Sequence, residues 1–171
     1  MKGSVIACGV FSLVIISACN GPAAPTGAAV AAGSEASAQG TANAPFKGSF
    51  EGTQTVTPGT PPLATVVMQG TGTGTLVGRF EIALPHTVNF ATASASGIAT
   101  IIAADGSRIV ASFTGHAQVG PITAIVEQAT VTSGTGRFAG ASGSFTIHRT
   151  FNPATGVTSG TFEGTLQLGG N

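Results

Sequence analysis

Acid–base or metal chemistry in this 171-residue chain would fall first to its three histidines, His86, His116 and His148. The runs around His116 and His148 alternate with period two, and both histidines share a face with serine or threonine, which indicates a solvent-facing position. His86 has the parity of Leu84 and Val88 and is expected to point inward. Ligands on different faces cannot converge on one ion, and neither HxH nor HExxH spacing occurs, so no metal site is predicted.

Glu127 and Arg149 are two charged residues that share their parity with apolar neighbours. Those neighbours are Ile125, Ala129 and Val131 for Glu127, and Phe145, Ile147 and Phe151 for Arg149. A buried charge is costly unless it is paired, so two inward charges on successive strands should meet. Such a pair in a cavity, with His86 nearby, would form an anionic-ligand or acid–base site. The opposite face of the Glu127 run is also apolar, which leaves open that one or both residues lie at a rim.

Nucleophilic catalysis has no candidate in the folded part of the chain. Both cysteines, Cys8 and Cys19, precede residue 45, and no GxSxG elbow occurs. No serine is accompanied by a recognisable base. We therefore assign no catalytic residue and no cofactor. The absence of tyrosine and tryptophan also disfavours specific recognition of sugars or aromatic ligands.

The elements that would position these residues are short strands. Period-two alternation recurs through residues 45–171, and no window holds a sustained 3.6-residue apolar period. Strands are predicted near 46–57, 63–70, 75–84, 87–91, 95–104, 107–117, 121–132, 142–151 and 157–168. Asp105-Gly106 predicts a type I′ hairpin turn, because that pair tolerates positive φ. Residues 58–62 end the first strand, and 152–156 join the last two.

The first and last predicted strands carry nearly the same six residues. GSFEGT occupies 48–53 and GTFEGT occupies 160–165. In a closed meander with an even strand count these strands are neighbours, and closure removes exposed edges. Closely spaced strands with short loops favour a barrel or a sandwich. The expected fold class is all-β, a single antiparallel up-and-down β-barrel of about eight strands closed by its first and last strands.

The most distinctive stretch is SGTGRFAGASG at 133–143, between two predicted strands. Gly134 and Gly136 permit a tight loop, Arg137 is placed to cap carbonyls, and Phe138 to plug a barrel end. The order strand, GTGRF, AxG, strand resembles the dirigent and allene oxide cyclase-like proteins. That resemblance implies an eight-stranded antiparallel barrel, in which plant members steer radical coupling or cyclise an epoxide. The acid and polar cavity residues of the plant enzymes have no clear counterparts here, so the resemblance implies fold and not activity.

The N-terminus predicts export. Lys2 precedes an uncharged, mostly apolar run at 5–16, which is typical of a secretory signal and too short to span a bilayer. Ile16-Ser17-Ala18-Cys19 resembles the bacterial lipobox, which implies lipid attachment at Cys19 and cleavage just before it. The alternative is an ordinary signal peptide that contains Cys19. The expected domains are a signal peptide at 1–18, a flexible Ala/Gly/Ser/Pro tether at 19–44 and a β-barrel at 45–171.

The low, balanced charge and the lack of a recognisable catalytic or metal-binding group limit the possible functions. Six basic and six acidic residues form no basic patch, so nucleic acid is not an expected partner. We expect a protein lipid-anchored to a membrane of the cell envelope, on the exported side, that binds a small apolar ligand or an envelope protein without catalysis. The alternative is a barrel enzyme, an isomerase or cyclase. A roomy interior holding His86, Glu127 or Arg149 would favour the enzyme. A core packed with Phe, Val and Ile would exclude both a ligand inside the barrel and an enzyme, which would leave a structural or adhesive role.

Overall fold

The computed structural model describes residues 43–169, in which eight antiparallel strands close into one β-barrel. The strands are β1 (Asn43–Pro58), β2 (Leu63–Gly74), β3 (Gly78–Asn89), β4 (Ser94–Ala103), β5 (Arg108–Gln118), β6 (Thr123–Thr135), β7 (Ser142–Asn152) and β8 (Val157–Gln167), with a 3-10 helix η1 (Gly136–Phe138) between β6 and β7. Each strand pairs with the next, and β1 also pairs with β8. The expected closed up-and-down barrel is therefore confirmed. No helix in this part of the chain is long and apolar enough to cross a membrane.

The predicted N-terminal features fall largely outside the described residues. Cys19, the signal peptide at 1–18 and most of the tether at 19–44 precede residue 43. Asn43 and Ala44, the last two residues of the predicted tether, belong to β1. There they pair with Gln167 and Leu166 of β8, so the ordered barrel begins slightly earlier than predicted.

The repeated GxFEGT segments interlock where β1 meets β8. Phe50 lies opposite Gly160, and Gly48 lies opposite Phe162. A Cβ atom on Gly48 would come within 2.7 Å of the Phe162 ring. Gly48 thus leaves the space that the Phe162 ring occupies, and the repeat has a packing role at the seam that closes the barrel.

One strand is longer than the sequence indicated. The predicted strands at 75–84 and 87–91 are a single strand, β3, which continues through Pro85. Proline lacks the N–H that a ladder needs, and the β3–β4 register has no partner for Leu84 or Pro85 while pairing resumes at His86. The strand tolerates proline because the ladder to β4 is interrupted there.

The turn at Asp105-Gly106 is in the predicted place but is not of type I′. Only Gly106 has positive φ, at 82°, whereas a type I′ turn needs positive φ at both central residues. The Gly106 N–H donates to the Ala103 carbonyl at 2.9 Å, and the Ala103 N–H donates to the Ser107 carbonyl at 2.9 Å. The connection is a three-residue loop ending in a left-handed glycine, which Asp-Gly serves equally well.

The two ends of the barrel differ in how they are filled. At one end, here called the plugged end, lie the connections 75–77, 104–107 and 136–141, and β1 starts there. At the other, the rim end, lie the connections 59–62, 90–93, 119–122 and 153–156. The interior toward the plugged end is packed with mutually contacting rings, among them Phe46, Phe145 and Phe162, with centroids 4.6 to 5.9 Å apart.

Candidate functional site

Glu127 of β6 and Arg149 of β7 meet inside the barrel, toward the rim end. Arg149 Nε donates to Glu127 Oε2 at 3.0 Å, and Nη2 donates to Oε1 at 2.7 Å, so the ion pair is bidentate. The side chain of Arg149 is 1% exposed and that of Glu127 is 0% exposed. The register brings them together because Ile125 lies opposite Arg149, and Glu127 is the next inward residue along β6. Both residues are buried rather than at the rim.

A third partner, Gln54 of β1, was not identified from the sequence. Arg149 Nη1 donates to Gln54 Oε1 at 2.6 Å over the intervening strand β8. Gln54 sits in a threonine-rich run, TQTVT, that reads as a solvent-exposed strand end. Its parity with Phe46 and Phe50 was the available signal, because all three side chains point inward.

In the Glu127–Arg149–Gln54 network, every buried polar side-chain atom has a hydrogen-bond partner. Both carboxylate oxygens accept hydrogen bonds from the guanidinium, and no buried side-chain nitrogen or oxygen among residues 43–169 lacks a partner. The positive charge is neutralised at hydrogen-bond distance, so an anion would have to displace Glu127 in order to bind. A buried pair of this kind is costly to break, because removal of one partner leaves a desolvated charge.

Glycines on adjacent strands make room for each inward polar side chain. A Cβ atom on Gly115 would lie 2.6 Å from Glu127 Cγ, and one on Gly160 would lie 2.6 Å from Arg149 Cβ. At His86 the neighbour is Gly97, whose added Cβ would lie 2.5 Å from the histidine Cβ. Any larger residue at these glycines would displace the polar side chains, so the glycines belong to the site.

His86 is buried with one ring nitrogen committed and the other free. Nδ1 lies 2.8 Å from the carbonyl oxygen of Leu84, and a carbonyl can only accept, so Nδ1 carries the proton. Nε2 has no hydrogen-bond partner in the described part of the chain, and because no buried polar side-chain atom there is unpartnered, Nε2 must touch solvent. Burial lowers the pKa of the imidazole below its usual value, so the neutral ring is favoured.

Above these polar residues the rim end is apolar and uncharged. The segments 56–63, 88–95, 117–123 and 151–158 contain no Asp, Glu, Lys, Arg or His. Large apolar side chains on them are exposed, namely Val56, Leu63, Phe90, Val119, Ile122 and Val157. Inward-facing residues here also keep part of their surface open, namely Val88, Ala95, Ala117, Thr123 and Phe151. The inward-facing residues surround the rim end of the barrel interior, and we call this surface the rim mouth. Leu63 and Val157 flank it from the outer face of their strands.

The GTGRF segment lies at the plugged end and has structural contacts. Phe138 is 1% exposed and belongs to the core cluster. Arg137 Nη2 donates to the Val77 carbonyl at 3.1 Å, and its Nε lies 3.2 Å from Asp105 Oδ2 at a half-exposed position. Gly136 has φ of 61°, and a Cβ on Gly134 would strike the Phe138 backbone. The segment folds over the end of the barrel away from His86.

Comparisons with known proteins place the fold but supply no relative in sequence. No family model matches the chain, and no curated protein matches it. Among solved structures, the pterocarpan synthase dirigent protein GePTS1 superposes with a TM-score of 0.55 at 15% identity, covering 75% of this chain and 92% of that one. The chain has a dirigent-like fold. At this identity the likeness concerns architecture alone, and it agrees with the resemblance noted at the GTGRF segment.

Two further histidines and a surface concavity lie on the outside of the dirigent-like barrel, away from the inward polar residues. His116 and His148 are exposed on the outer surface, as predicted. No group of three His, Cys, Asp or Glu among residues 43–169 is arranged to hold a metal ion. A concavity of about 1060 Å³ lies on the outside of the barrel, where Glu51, Arg79 and Glu81 line it. It contains none of the inward polar residues and belongs to the polar outer face.

Proposed function

We propose that this chain is an exported, lipid-anchored protein of a bacterial cell envelope whose barrel binds a small apolar ligand at the rim mouth without catalysis. The observation that carries the proposal is the contrast between the mouth and the interior beneath it. The mouth is apolar, uncharged and partly exposed, whereas the interior is filled by phenylalanine rings and a self-satisfied ion pair. Because the core is packed, a ligand is placed at the mouth and not inside the barrel, and a contiguous exposed apolar patch is a mark of an interaction site.

Lipid anchoring rests on the lipobox-like Ile16-Ser17-Ala18-Cys19. The first described strand, β1, begins at the plugged end, so the chain joins the barrel at the end opposite the rim mouth. Fractionation of cells that express Cys19→Ser tests the anchor. We expect the wild-type chain in the membrane fraction and the variant in the soluble exported fraction, and an unchanged membrane fraction would contradict the proposal.

The non-catalytic assignment rests on the state of the acidic group. A general base must be within reach of the substrate, and the Glu127 carboxylate is held inside the barrel by one hydrogen bond from Arg149 to each of its oxygens. Its side chain is also fully buried. Glu127 is therefore not placed to act as a general base.

One observation favours an enzyme of the isomerase or cyclase type as the second candidate. His86 Nε2 is unprotonated and unpartnered, and a neutral imidazole is a competent base. Acid–base catalysis would need a second group, and the nearest ionisable ones, Glu127 and Arg149, are bound to each other. A single-turnover conversion of a captured guest, lost in His86→Phe, would establish this candidate instead.

Native mass spectrometry of the full chain, purified gently from its own host, tests ligand binding. We expect a reproducible added mass of small-molecule size that is lost on mild activation. Phe90→Ser together with Ile122→Ser adds polarity to the mouth without touching the core and should reduce the occupied fraction. The matched control is Val67→Ser, since Val67 is exposed on the outer face of β2. A clean unliganded mass, or capture of a protein at the rim end, would overturn the small-ligand proposal.

A further inference from the structure

Resting on the proposed function, we propose that His86 Nε2 selects the ligand by accepting a hydrogen bond, so that the guest is an apolar molecule with a hydroxyl or other uncharged donor group. The hydroxyl enters the rim mouth first and the apolar body stays among the rim side chains. Specificity then lies in one buried acceptor rather than in the ion pair beside it.

The direction of the hydrogen bond follows from the ring's other nitrogen. The Leu84 carbonyl holds the proton on Nδ1, which leaves a lone pair on Nε2. His86 as a whole is only 5% exposed, yet Nε2 has no protein partner and meets solvent. A solvent-touching acceptor at the floor of an apolar mouth favours a ligand that brings a donor, since a ligand without one would desolvate Nε2 and leave it unpaired.

The groups around His86 exclude the other polar ligands. Arg149 has Nε, Nη1 and Nη2 committed to Glu127 and Gln54, so it offers little to a carboxylate or phosphate. The Phe113 ring lies edge-on to the imidazole, with centroids 5.6 Å apart. The site therefore presents the free acceptor of His86 and the amide of Gln54, whose oxygen is already bound by Arg149, and an anion would meet no free positive charge.

Cyclohexanol and cyclohexanone form a matched pair of probes, because they share a six-membered ring and only the alcohol donates a hydrogen bond. Binding of each to the full chain is followed by ¹⁵N NMR of the histidine rings, which is simple with three histidines. We expect the alcohol to bind roughly 3- to 10-fold more tightly, the range one neutral hydrogen bond provides. The ¹⁵N signal of His86 Nε2 should move with the alcohol, and those of His116 and His148 should not.

Two variants separate recognition from folding. His86→Phe keeps a ring but removes the acceptor and should abolish the preference for cyclohexanol, whereas His86→Gln restores an acceptor oxygen and should recover part of it. The backbone NMR spectrum shows whether each variant is folded. Equal binding of both probes at the rim end, with Nε2 unmoved, would overturn the His86 inference and leave the proposed function standing. Failure of both probes to perturb any rim residue would overturn both.

Discussion

The plugged end and the rim end are built from the same eight strands, yet they are completed in opposite ways. At the plugged end the longest connection, which contains η1, folds over the core, and Phe46, Val77 and Phe138 are at most 2% exposed. At the rim end the connections are short turns, and side chains such as Val119 and Phe90 are 76% and 62% exposed. One end therefore buries its connections over the core, while the other leaves apolar side chains exposed.

The ion pair below the rim mouth provides the sharpest test of that difference, and Glu127→Ala should have the largest effect. The variant leaves Arg149 buried without its partner, which typically costs about 3–5 kcal/mol of unfolding free energy. Urea denaturation followed by circular dichroism measures the loss. The control is the double variant Glu127→Leu with Arg149→Met, which removes both charges and should recover most of the stability. If the double variant is as unstable as the single one, the loss of stability does not come from the unpaired charge of Arg149.

Gly160→Ala should have the next largest effect, because it places a methyl group on Arg149 from the adjacent strand. The added Cβ would lie 2.6 Å from Arg149 Cβ and 2.5 Å from the His148 carbonyl oxygen, so backbone or side chain must shift. Overpacking of this kind costs about 1–3 kcal/mol. Ser159→Ala on the outer face of the same strand is the control and should change stability by less than about 0.5 kcal/mol. If the two variants have equal stability, the close approach is not needed.

At the plugged end, Phe138→Leu should destabilise the barrel without altering the rim mouth. The change removes part of a fully buried ring from the core and should cost about 1–2 kcal/mol, as transfer free energy plus a partly relaxed cavity. Guest occupancy in native mass spectra should stay as in the wild type. A loss of guest in folded Phe138→Leu would show that the two ends are coupled, and the contrast drawn between them would fail.

The sequence predicts the barrel well because the alternation of inward and outward residues in a strand depends only on residues that are close in the chain. Alternation placed Phe145, Ile147 and Arg149 on one face, and the GxFEGT repeat indicated which strands close the barrel. Alternation weakens where both faces are apolar, as around Glu127. There only the three-dimensional register shows that Ile125 and Glu127 face Arg149 and its neighbours.

The rest of the site depends on contacts between residues far apart in the chain. Gln54 and Arg149 are 95 positions apart, and a glutamine among threonines gives no local sign that it crosses the interior. The break in pairing that lets Pro85 remain within β3 likewise depends on β4. The prediction of a type I′ turn at Asp105 was wrong for the same reason, because the pairing of β4 with β5 sets the length of the loop. The sequence shows that the four rim segments carry no charge, but only the strand topology shows that they lie together at one end of the barrel.

The smallest predicted effect is a pH dependence that arises from His86 at the rim end. Burial lowers the pKa of its imidazole, so the unfolded chain binds a proton that the folded chain resists. Stability is therefore complete above the unfolded pKa, about 6.5, and falls as pH drops through that value until the lower folded pKa is reached. The nearby charges, Arg149 and Glu127, oppose each other in their effect on the ring and leave burial as the main cause.

Denaturation curves between pH 7.5 and 4.5 measure that slope, which should correspond to at most one proton taken up on unfolding. His86→Phe should flatten it, and Val67→Ser, which changes the outer face without removing a titratable group, should leave it unchanged. Asp105 at the plugged end titrates in a separate window, because hydrogen bonds from Ser107 lower the pKa of its carboxyl and any stability it adds is lost only below its ordinary value of 3.8. A slope between pH 7 and 5 that persists in His86→Phe would mean that burial of the rim-end histidine is not its source, and the contrast between the plugged end and the rim end would lose its titratable group.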